Sequence, residues 1–369
     1  MRRLRQALAG LAVSAVALWL TLRGKDLGAI WQALQEGDYR WLAPYLLMGL
    51  AIHLVRTWRW GILLEPVAKV PFARLNAVAA VGFMALVLLP FRLGELARPY
   101  LVAERPRLRV SAALSSVVVE RVADGLFMGL LLMVTLLGVP EGTPGLRVIR
   151  LGGVLVSLAF AALLAFLVLA YKNRALAVRL TARLLGPISP GLAARASGMV
   201  DAFIHGLRLV PSRRKLALFF ALTAVYWALS GFSMQVLARG FGIELGAVDT
   251  FTVLGVLVIG VMIPAGPGMV GTFQGAVVVG LSLFVPREVA ATHGVAYANV
   301  LWAAQIGLQA LLGAVFLFSR HVQLGRIFSA PAETGEALAE EEAEYQATSS
   351  SLSPTEPTRG EGRDEGAST

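Results

Sequence analysis

The feature that most constrains this chain is an apolar run that ends too early to cross a membrane. Residues 76–89 are almost wholly apolar and are followed by Pro90. A helix that crosses a bilayer needs roughly twenty such residues. After the proline, three charges follow at Arg92, Glu95 and Arg98. Because charges at that depth are costly unless they face protein or a wet cavity, the stretch predicts a broken helix whose charged tip faces inward.

A second stretch repeats this design without the charges. The short run 249–263 leads into Pro264, and glycines follow at Gly266, Gly268 and Gly271. Both stretches have the pattern Pro-x-x-x-Gly after a short apolar run. Broken hydrophobic segments at matching positions in two halves are typical of a transporter's binding site. The sequence therefore predicts a membrane protein built from two related halves.

The composition is that of a polytopic helical membrane protein. Of the 369 residues, 57% are hydrophobic and 15% are charged, whereas soluble domains have about 45–50% apolar residues and about a quarter charged. The chain has no cysteine, and its four histidines are scattered without metal-ligand spacing. We therefore expect no metal site and no cofactor.

The net charge of +10 is unevenly divided along the chain. Residues 330–369 hold ten acids and two bases, so the basic excess lies in residues 1–329. Basic residues of membrane proteins mark cytoplasmic loops that contact anionic headgroups. The charge therefore indicates membrane orientation, and we expect no nucleic-acid partner.

Apolar runs and flanking charges together predict the topology. Basic residues flank the first broken run on both sides, which places both of its ends in the cytoplasm and makes it re-entrant. The second has balanced flanks, so we expect it to enter from the opposite face. The predicted fold is an all-α polytopic membrane bundle of about six full transmembrane helices and two re-entrant broken-helix hairpins, with units 41–138 and 216–319 as an inverted repeat. The predicted spans are 7–22, 41–64, 110–138, 148–171, 216–238 and 293–319, and the hairpins are about 75–104 and 249–285.

The predicted topology also gives an expected location for each remaining segment of the chain. Residues 1–329 form the transmembrane domain, with both termini on the cytoplasmic side of the cytoplasmic (inner) membrane. The basic segment 172–215 is expected to lie on anionic headgroups, and residues 23–40 are expected to form an outer loop. The acidic tail 330–369 is expected to be disordered. If both hairpins were instead full spans, residues 105–238 would change faces.

Three further charges, Glu120, Arg121 and Asp124, lie within the predicted span 110–138. Each would cost roughly 2.5–3.5 kcal/mol at a helix centre, so they must face away from lipid. They form either an internal salt-bridge cluster or a substrate site shared with the charges that follow Pro90.

Broken helices and arginines together suit a phosphate group. A helix that starts in mid-membrane exposes unpaired N–H groups and the positive end of its dipole, here near Gly94 and Gly268. Arg56 and Arg59, on one face of the span 41–64, either snorkel to the interface or add guanidinium groups that match phosphate. The acids either orient these arginines, bind a coupling proton or recognise a cationic headgroup. We therefore expect a lipid with a phosphate head, either a phospholipid or a polyprenyl phosphate.

Three motifs occur in order along the chain. They are Pro90-x-Arg92-x-Gly94-Glu95-x-x-Arg98, Glu120-Arg121-x-x-Asp124 and Pro264-x-Gly266-Pro267-Gly268-x-x-Gly271. Together they resemble the lysylphosphatidylglycerol synthase transmembrane family, whose members include the flippase half of the multiple peptide resistance factor. The resemblance covers roughly residues 5–320 and implies lipid translocation, or service to a lipid-modifying partner enzyme.

Two features differ from what the resemblance implies. Members with synthase activity carry a separate soluble aminoacyl-transfer domain, which we do not expect in the short acidic tail. The position after Thr272-Phe273 is often glutamate in the family and is Gln274 here, which disfavours proton coupling at this position.

The predicted function is a lipid transporter or flippase that moves a phosphate-headed lipid between leaflets, without enzyme activity. Movement would be passive or ion-coupled, because the sequence has no ATP motif. One alternative is a membrane subunit or enzyme of lipid headgroup modification by aminoacyl or glycosyl transfer, with Glu95 or Asp124 as base. Another is a non-catalytic scaffold for a transferase. The candidate substrate-binding residues are Arg56, Arg59, Arg92, Gly94, Glu95, Arg98, Glu120, Arg121, Asp124, Pro264, Gly266, Gly268, Gly271 and Gln274.

The hairpin topology predicts the side from which position 105 is reached. Because the native chain has no cysteine, an Arg105→Cys variant carries a single labelling site. A membrane-impermeant thiol reagent should label it in inside-out vesicles and not in intact cells. Labelling only from outside would make the first hairpin a full span.

Overall fold

The structure is a computed structural model of the chain. It describes residues 2–89, 94–103, 108, 110–187, 189, 211–263, 265–317 and 340, with side chains from residue 12 onwards. Every regular element in these residues is a helix, and none of them forms a strand. The all-helical prediction is therefore confirmed.

The helices follow one another through short connections. The first part of the chain forms α1 (Arg2–Leu22), α2 (Leu27–Glu36), α3 (Leu42–Leu64), α4 (Phe72–Leu88), α5 (Ala97–Val102) and α6 (Val110–Leu136). A peripheral pair follows, α7 (Leu146–Lys172) and α8 (Arg174–Leu185). The last part forms α9 (Arg213–Arg239), α10 (Ala247–Gly260), α11 (Thr272–Leu281), α12 (Arg287–Ala291) and α13 (His293–Leu317).

Long apolar helices place the protein in a membrane. In the part of the chain that the structure describes, three stretches combine the length and composition of a span: α7, α9 and Arg287–Leu317, which contains α12 and α13. Helices α3 and α6 have 23 and 27 residues, about 35 and 40 Å at 1.5 Å per residue, but they carry charges. Val148, Leu151 and Leu158 of α7 are exposed, as expected of a lipid-facing surface. The number of full spans, expected to be six, stays a prediction.

The first predicted break separates two antiparallel helices. Helix α4 has 17 residues, about 25 Å, which is shorter than the roughly 30 Å hydrocarbon core. The chain then turns back, so that Gly94 lies directly on the backbone of Ala85, where a Cβ would overlap it. Farther along, Arg98 of α5 lies against Gly82. Because later residues meet earlier ones, α5 runs antiparallel to α4.

The second predicted break has the same form. Helix α10 has 14 residues, about 21 Å. Gly260 at its end packs on Ala276 of α11, and Gly280 farther along packs on Val253. Helix α11 therefore returns along α10. Both elements are helical hairpins, and their re-entrant position in the membrane stays a prediction.

The two predicted units contact each other through corresponding helices. Helix α3 packs along α9, α4 packs on α13, and α10 packs on α6. Apolar side chains form one core around Trp60, Phe83 and Leu101 in the first unit and another around Phe273 and Tyr297 in the second. The contact between the units therefore includes α3, which carries Arg56 and Arg59, and α6, which carries Glu120 and Asp124.

The segment 23–40, expected to be an outer loop, contains the amphipathic helix α2. The Asp26 side chain caps it by accepting a hydrogen bond from the Gly28 N–H at 2.8 Å. Ile30 and Ala33 are buried, whereas Trp31 is exposed. The short helix was missed because its mixed charges resemble those of a loop.

Part of the predicted architecture lies outside the described residues. In the basic segment 172–215, α8 covers Arg174–Leu185. The predicted sites and segments that lie outside are Pro90, Arg92, Pro264, position 105, residues 190–210 and the tail 330–369 except Glu340.

A methyl group at Gly94 should destabilise the first hairpin. In Gly94→Ala, the Cβ would overlap the backbone of α4, which cannot move aside as the end of a side chain can. Overpacking of this kind costs about 1–3 kcal/mol. The matched control is Gly152→Ala in α7, where a Cβ meets nothing within 4 Å. In mild detergent, Gly94→Ala should lower the Tm and Gly152→Ala should not. Equal midpoints would contradict the close packing.

Candidate functional site

Arg59 lies at the centre of a buried network of charges. Its guanidinium binds Asp124 with two hydrogen bonds, of which the one from Nη2 to Oδ2 is 2.9 Å. Nη2 also donates to Oε1 of Glu120 at 2.9 Å, and Nη1 donates to Oγ1 of Thr223 at 3.2 Å. Arg59 and Glu120 are fully buried. One side chain thus joins α3 to both α6 and α9.

Glu120 accepts hydrogen bonds from three arginines. Arg59 and Arg121 reach Oε1, each at 2.9 Å, and Arg98 donates to Oε2. The Arg98 guanidinium carbon also lies 4.6 Å from the ring centroid of Trp60. Gly82 makes this position possible, because a Cβ there would overlap the Arg98 side chain. The network therefore also binds the first hairpin to α6.

The chain tolerates these charges in its interior because they are paired with one another. Glu120 and Asp124 are four residues apart and so share one face of α6. Charges buried together are retained only when their geometry is good and their hydrogen bonds are made. Of the two roles left open by the sequence, the internal salt-bridge cluster fits Arg59, Arg98 and Glu120 best.

A cavity of about 440 Å³ lies beside this network. It is bounded by α3, α4 and α6 of the first unit and by α9, α10 and α13 of the second. Its charged lining residues are Arg56, Glu95, Arg121 and Asp124, and apolar side chains form much of the remaining wall. A second void of about 10 Å³, large enough for one water, is lined by Arg56, Glu95 and Arg121 together with Gly94 and Arg98.

Arg56 differs from Arg59 and Arg98, because it is only partly buried and they are fully or almost fully buried. It lies one helical turn before Arg59, and its guanidinium carbon is 3.7 Å from the ring centroid of Phe83 and 5.5 Å from that of Tyr226. Its Nε has no hydrogen-bond partner, as is also true of the Nε atoms of Arg59 and Arg98. Within the described part of the chain, no carboxylate forms an ion pair with it. Arg56 is therefore a cation held at the cavity by aromatic rings.

Arg121 occupies an intermediate position. Its side chain is 27% exposed and lines the cavity. Nη2 lies 2.9 Å from Oε1 of Glu120 and 3.3 Å from Oδ2 of Asp124. The carboxylates of the network thus hold Arg121 in place while part of it faces the cavity.

The second break is filled by protein near α1. The Gly266 N–H donates to Oγ of Ser14 at 2.9 Å. Gly271 has φ +84°, and a Cβ there would overlap the backbone of α1 around Leu18. Glycine is therefore required at 271 both by its dihedral angle and by the close approach of α1.

The remaining contacts of the second break are also internal. Nε1 of Trp302 donates to the carbonyl oxygen of Gly268 at 2.7 Å. The Gly271 N–H donates to Oε1 of Gln274 at 2.7 Å, so Gln274 caps the start of α11. Gly266, Gly268, Gly271 and Gln274 are absent from the cavity lining, and their expected role in substrate binding stays a prediction.

Several polar residues of the cavity were not among the candidates from sequence. They are His53, Tyr226, Trp227, Ser230, Ser233, Gln305 and Gln309. Their spacing in the sequence could have indicated that they line an interior surface. Tyr226 and Ser230 are four residues apart and share a helical face, and so do Gln305 and Gln309. Polar residues on one face of an apolar helix are typical of an interior lining.

Two arginines on α3 should respond differently to the same substitution. Arg59→Gln leaves Asp124 and Glu120 without their main partner, and breaking a buried ion pair costs about 3–5 kcal/mol. Arg56→Gln removes only contacts with aromatic rings, which contribute up to about 2 kcal/mol. Unfolding in detergent should therefore show the larger loss of stability for Arg59→Gln. The reverse order would contradict the assigned pairing.

Comparison with known proteins identifies the family. The family model described as the lysylphosphatidylglycerol synthase TM region matches residues 7–317. A search of curated proteins gives no match. The matched region contains the buried network and the cavity described above. The chain therefore belongs to the lysylphosphatidylglycerol synthase transmembrane family, whose members are membrane proteins linked to lipid modification or transport.

Proposed function

We propose that this protein is a flippase that moves a phosphate-headed lipid between leaflets, with the cavity as the headgroup site. The observation that carries the proposal is Arg56. It lines the cavity, is held by the rings of Phe83 and Tyr226, and has no ion-pair partner among the described residues.

The electrostatics of Arg56 favour an anionic ligand. Arg56 is partly buried and has no ion-pair partner among the described residues, so in the reduced dielectric of the cavity an anion that pairs with it gains more than it would in water. Guanidinium groups match phosphate oxygens with two parallel hydrogen bonds. Arg121 adds a second, partly exposed cation on the same wall.

The shape of the cavity suits a lipid headgroup. A volume of about 440 Å³ falls within the range of roughly 300–1,000 Å³ that is typical of small-molecule sites. Leu257, Val258 and Met262 of the wall are apolar, and Met262 is exposed on the outer surface. A headgroup bound at Arg56 would leave its acyl or prenyl tails in the bilayer.

The proposed transport mechanism depends on the two hairpin units. Their corresponding contacts, α4 on α13 and α10 on α6, support an inverted repeat about the α3–α9 contact. In transporters of this kind, substrate binds at the repeat interface, and one unit moves against the other to change access. We further propose that the protein lies in the cytoplasmic membrane with both termini inside.

A second candidate function is service to a lipid-modifying enzyme. The family is linked to lipid modification, and a cavity that holds a headgroup could present it to a partner transferase. This function needs Arg56 for lipid binding but does not need movement between leaflets.

Lipid movement in proteoliposomes tests the proposal. Labelled phospholipids and a labelled polyprenyl phosphate should each be offered to the native protein and to Arg56→Gln. Loss of a charge-assisted hydrogen bond, about 1.5–3 kcal/mol, should slow movement at least tenfold. The variant should bind lipid more weakly while keeping the native elution profile in detergent.

The matched control is Arg150→Gln. Arg150 lies on α7, outside the cavity lining, and pairs at 3.0 Å with the exposed residue Glu141. This variant should move lipid at the native rate. If Arg56→Gln also moved lipid at the native rate, the proposed headgroup site would be wrong. Lipid binding without movement by the native protein would favour the second function.

A further inference from the structure

His53 and Arg56 lie side by side on the cavity wall. They are three residues apart on α3, so they share a face of the helix, and both line the cavity. Both also contact the ring of Phe83, whose centroid is 6.0 Å from that of the His53 imidazole and 3.7 Å from the Arg56 guanidinium carbon. A phosphate bound at Arg56 is therefore within reach of the His53 ring.

One nitrogen of His53 is used inside the protein. Nε2 lies 2.9 Å from Oδ1 of Asn76 on α4, and Oγ1 of Thr57 donates to the same oxygen at 3.5 Å. Because an amide oxygen only accepts, Nε2 carries the hydrogen of the neutral ring and Nδ1 is left as an acceptor. Asn76 is not part of the cavity lining. The contact with Asn76 thus fixes both the tautomer and the orientation of the ring.

The other nitrogen, Nδ1, is accessible. It forms no hydrogen bond within the described part of the chain, and it is not among the buried unpaired polar atoms there. The same holds for Nη1 and Nη2 of Arg56, whereas its Nε is buried. Since both side chains line the cavity, a ligand there meets guanidinium donors on one residue and an imidazole acceptor on the other.

The formal charges around the cavity leave one positive charge in excess. Among the described residues of the network and the cavity lining, three arginines and three acids cancel, and Arg56 is the cation that remains. The residues that cancel are Arg59, Arg98, Arg121, Glu95, Glu120 and Asp124. A ligand that adds one negative charge therefore leaves the site neutral, which is the least costly state in a reduced dielectric.

A phosphate monoester satisfies both the charge and Nδ1. Its second pKa is about 6, so near neutral pH one proton is readily shared between a phosphate oxygen and Nδ1, and the bound unit adds a single negative charge. Its other oxygens accept from Arg56. A phosphodiester has no such proton. It either leaves Nδ1 facing an oxygen without a hydrogen between them, or takes up a proton and leaves the site with a positive charge in excess.

We infer that His53 and Arg56 together form a site for a lipid phosphate monoester, in which Arg56 binds the charge and Nδ1 of His53 shares the proton that a diester lacks. This inference rests on the proposed function and names its substrate class. The class includes phosphatidic acid and the polyprenyl phosphates, and the site discriminates against phosphodiester lipids.

Competition between two lipids that differ by one methyl group tests the site. Phosphatidic acid is a monoester, and phosphatidylmethanol with identical acyl chains is its methyl diester. Native mass spectrometry of the full-length protein in detergent at neutral pH gives their relative occupancy. The native protein should prefer phosphatidic acid by about tenfold, as expected from one charge-assisted hydrogen bond. A preference for the methyl diester, or none, would overturn the inference.

Two substitutions separate recognition by His53 from its packing. In His53→Gln the amide lies near the position of Nε2, where it can still bond to Asn76, and in His53→Asn it lies near the position of Nδ1. Because an amide N–H donates to either lipid without taking its proton, each variant should lower the preference about three- to tenfold. Arg56→Gln should instead weaken the binding of both lipids.

The matched control is another histidine outside the cavity lining. Nδ1 of His293 lies 3.2 Å from the carbonyl oxygen of Phe241, and His293 does not line the cavity. His293→Gln should keep the native preference. A polyprenyl phosphate offered against phosphatidic acid identifies the tail that the protein takes, and both monoesters should bind ahead of the methyl diester.

Each outcome bears on one proposal or on both. An unchanged preference in both His53 variants would overturn the monoester site while leaving the phosphate site at Arg56 in place. Selective binding of phosphatidic acid by a protein that moves no lipid would overturn the transport function alone. No binding of any of these lipids would overturn both.

Discussion

The structure depends on one fully buried arginine, Arg59, that is ion-paired with two carboxylates inside the protein. Arg59 holds Asp124, Glu120 and Thr223, so it connects α3 with α6 and α9. Glu120 extends the connection to Arg98 and hence to the first hairpin. Because an unpaired charge in this environment is unfavourable, α3, α6 and the first hairpin cannot shift independently without losing a hydrogen-bonded ion pair. The network thereby fixes α3, and with it the position of Arg56 one turn earlier.

The paired network around Arg59 lies beside Arg56, which has no ion-pair partner among the described residues, and this contrast explains how the cavity could favour an anionic ligand. The charged groups of the cluster are not free to bind a ligand, because they already form ion pairs with one another. The Arg56 guanidinium contacts the rings of Phe83 and Tyr226 instead, and no carboxylate among the described residues forms an ion pair with it. A preorganised cation of this kind pays little rearrangement on binding. Arg56 lines a cavity bounded by helices of both hairpin units, which is where the proposed function places the headgroup.

The all-helical fold and the two helical hairpins were predictable from the sequence, whereas which charged residues pair with one another was not. Proline, glycine and helix length indicated both hairpins, because a short apolar run cannot cross a membrane. Arg56 and Arg59 are the same residue type three positions apart, and only the facing helices decide which one is paired. Gly94 is another example: its closest neighbour is the backbone of α4. The contact of Gly266 with Ser14 joins residues too distant in sequence for any local pattern to predict.

The most direct test of the central claim is a high-resolution cryo-electron microscopy structure of the native protein in lipid nanodiscs. Phosphate density is expected in the cavity, within hydrogen-bond distance of the Arg56 guanidinium, with Arg59 still bound to Asp124 and Glu120. A cavity filled by acyl chains, with Arg56 paired to a protein carboxylate, would contradict it.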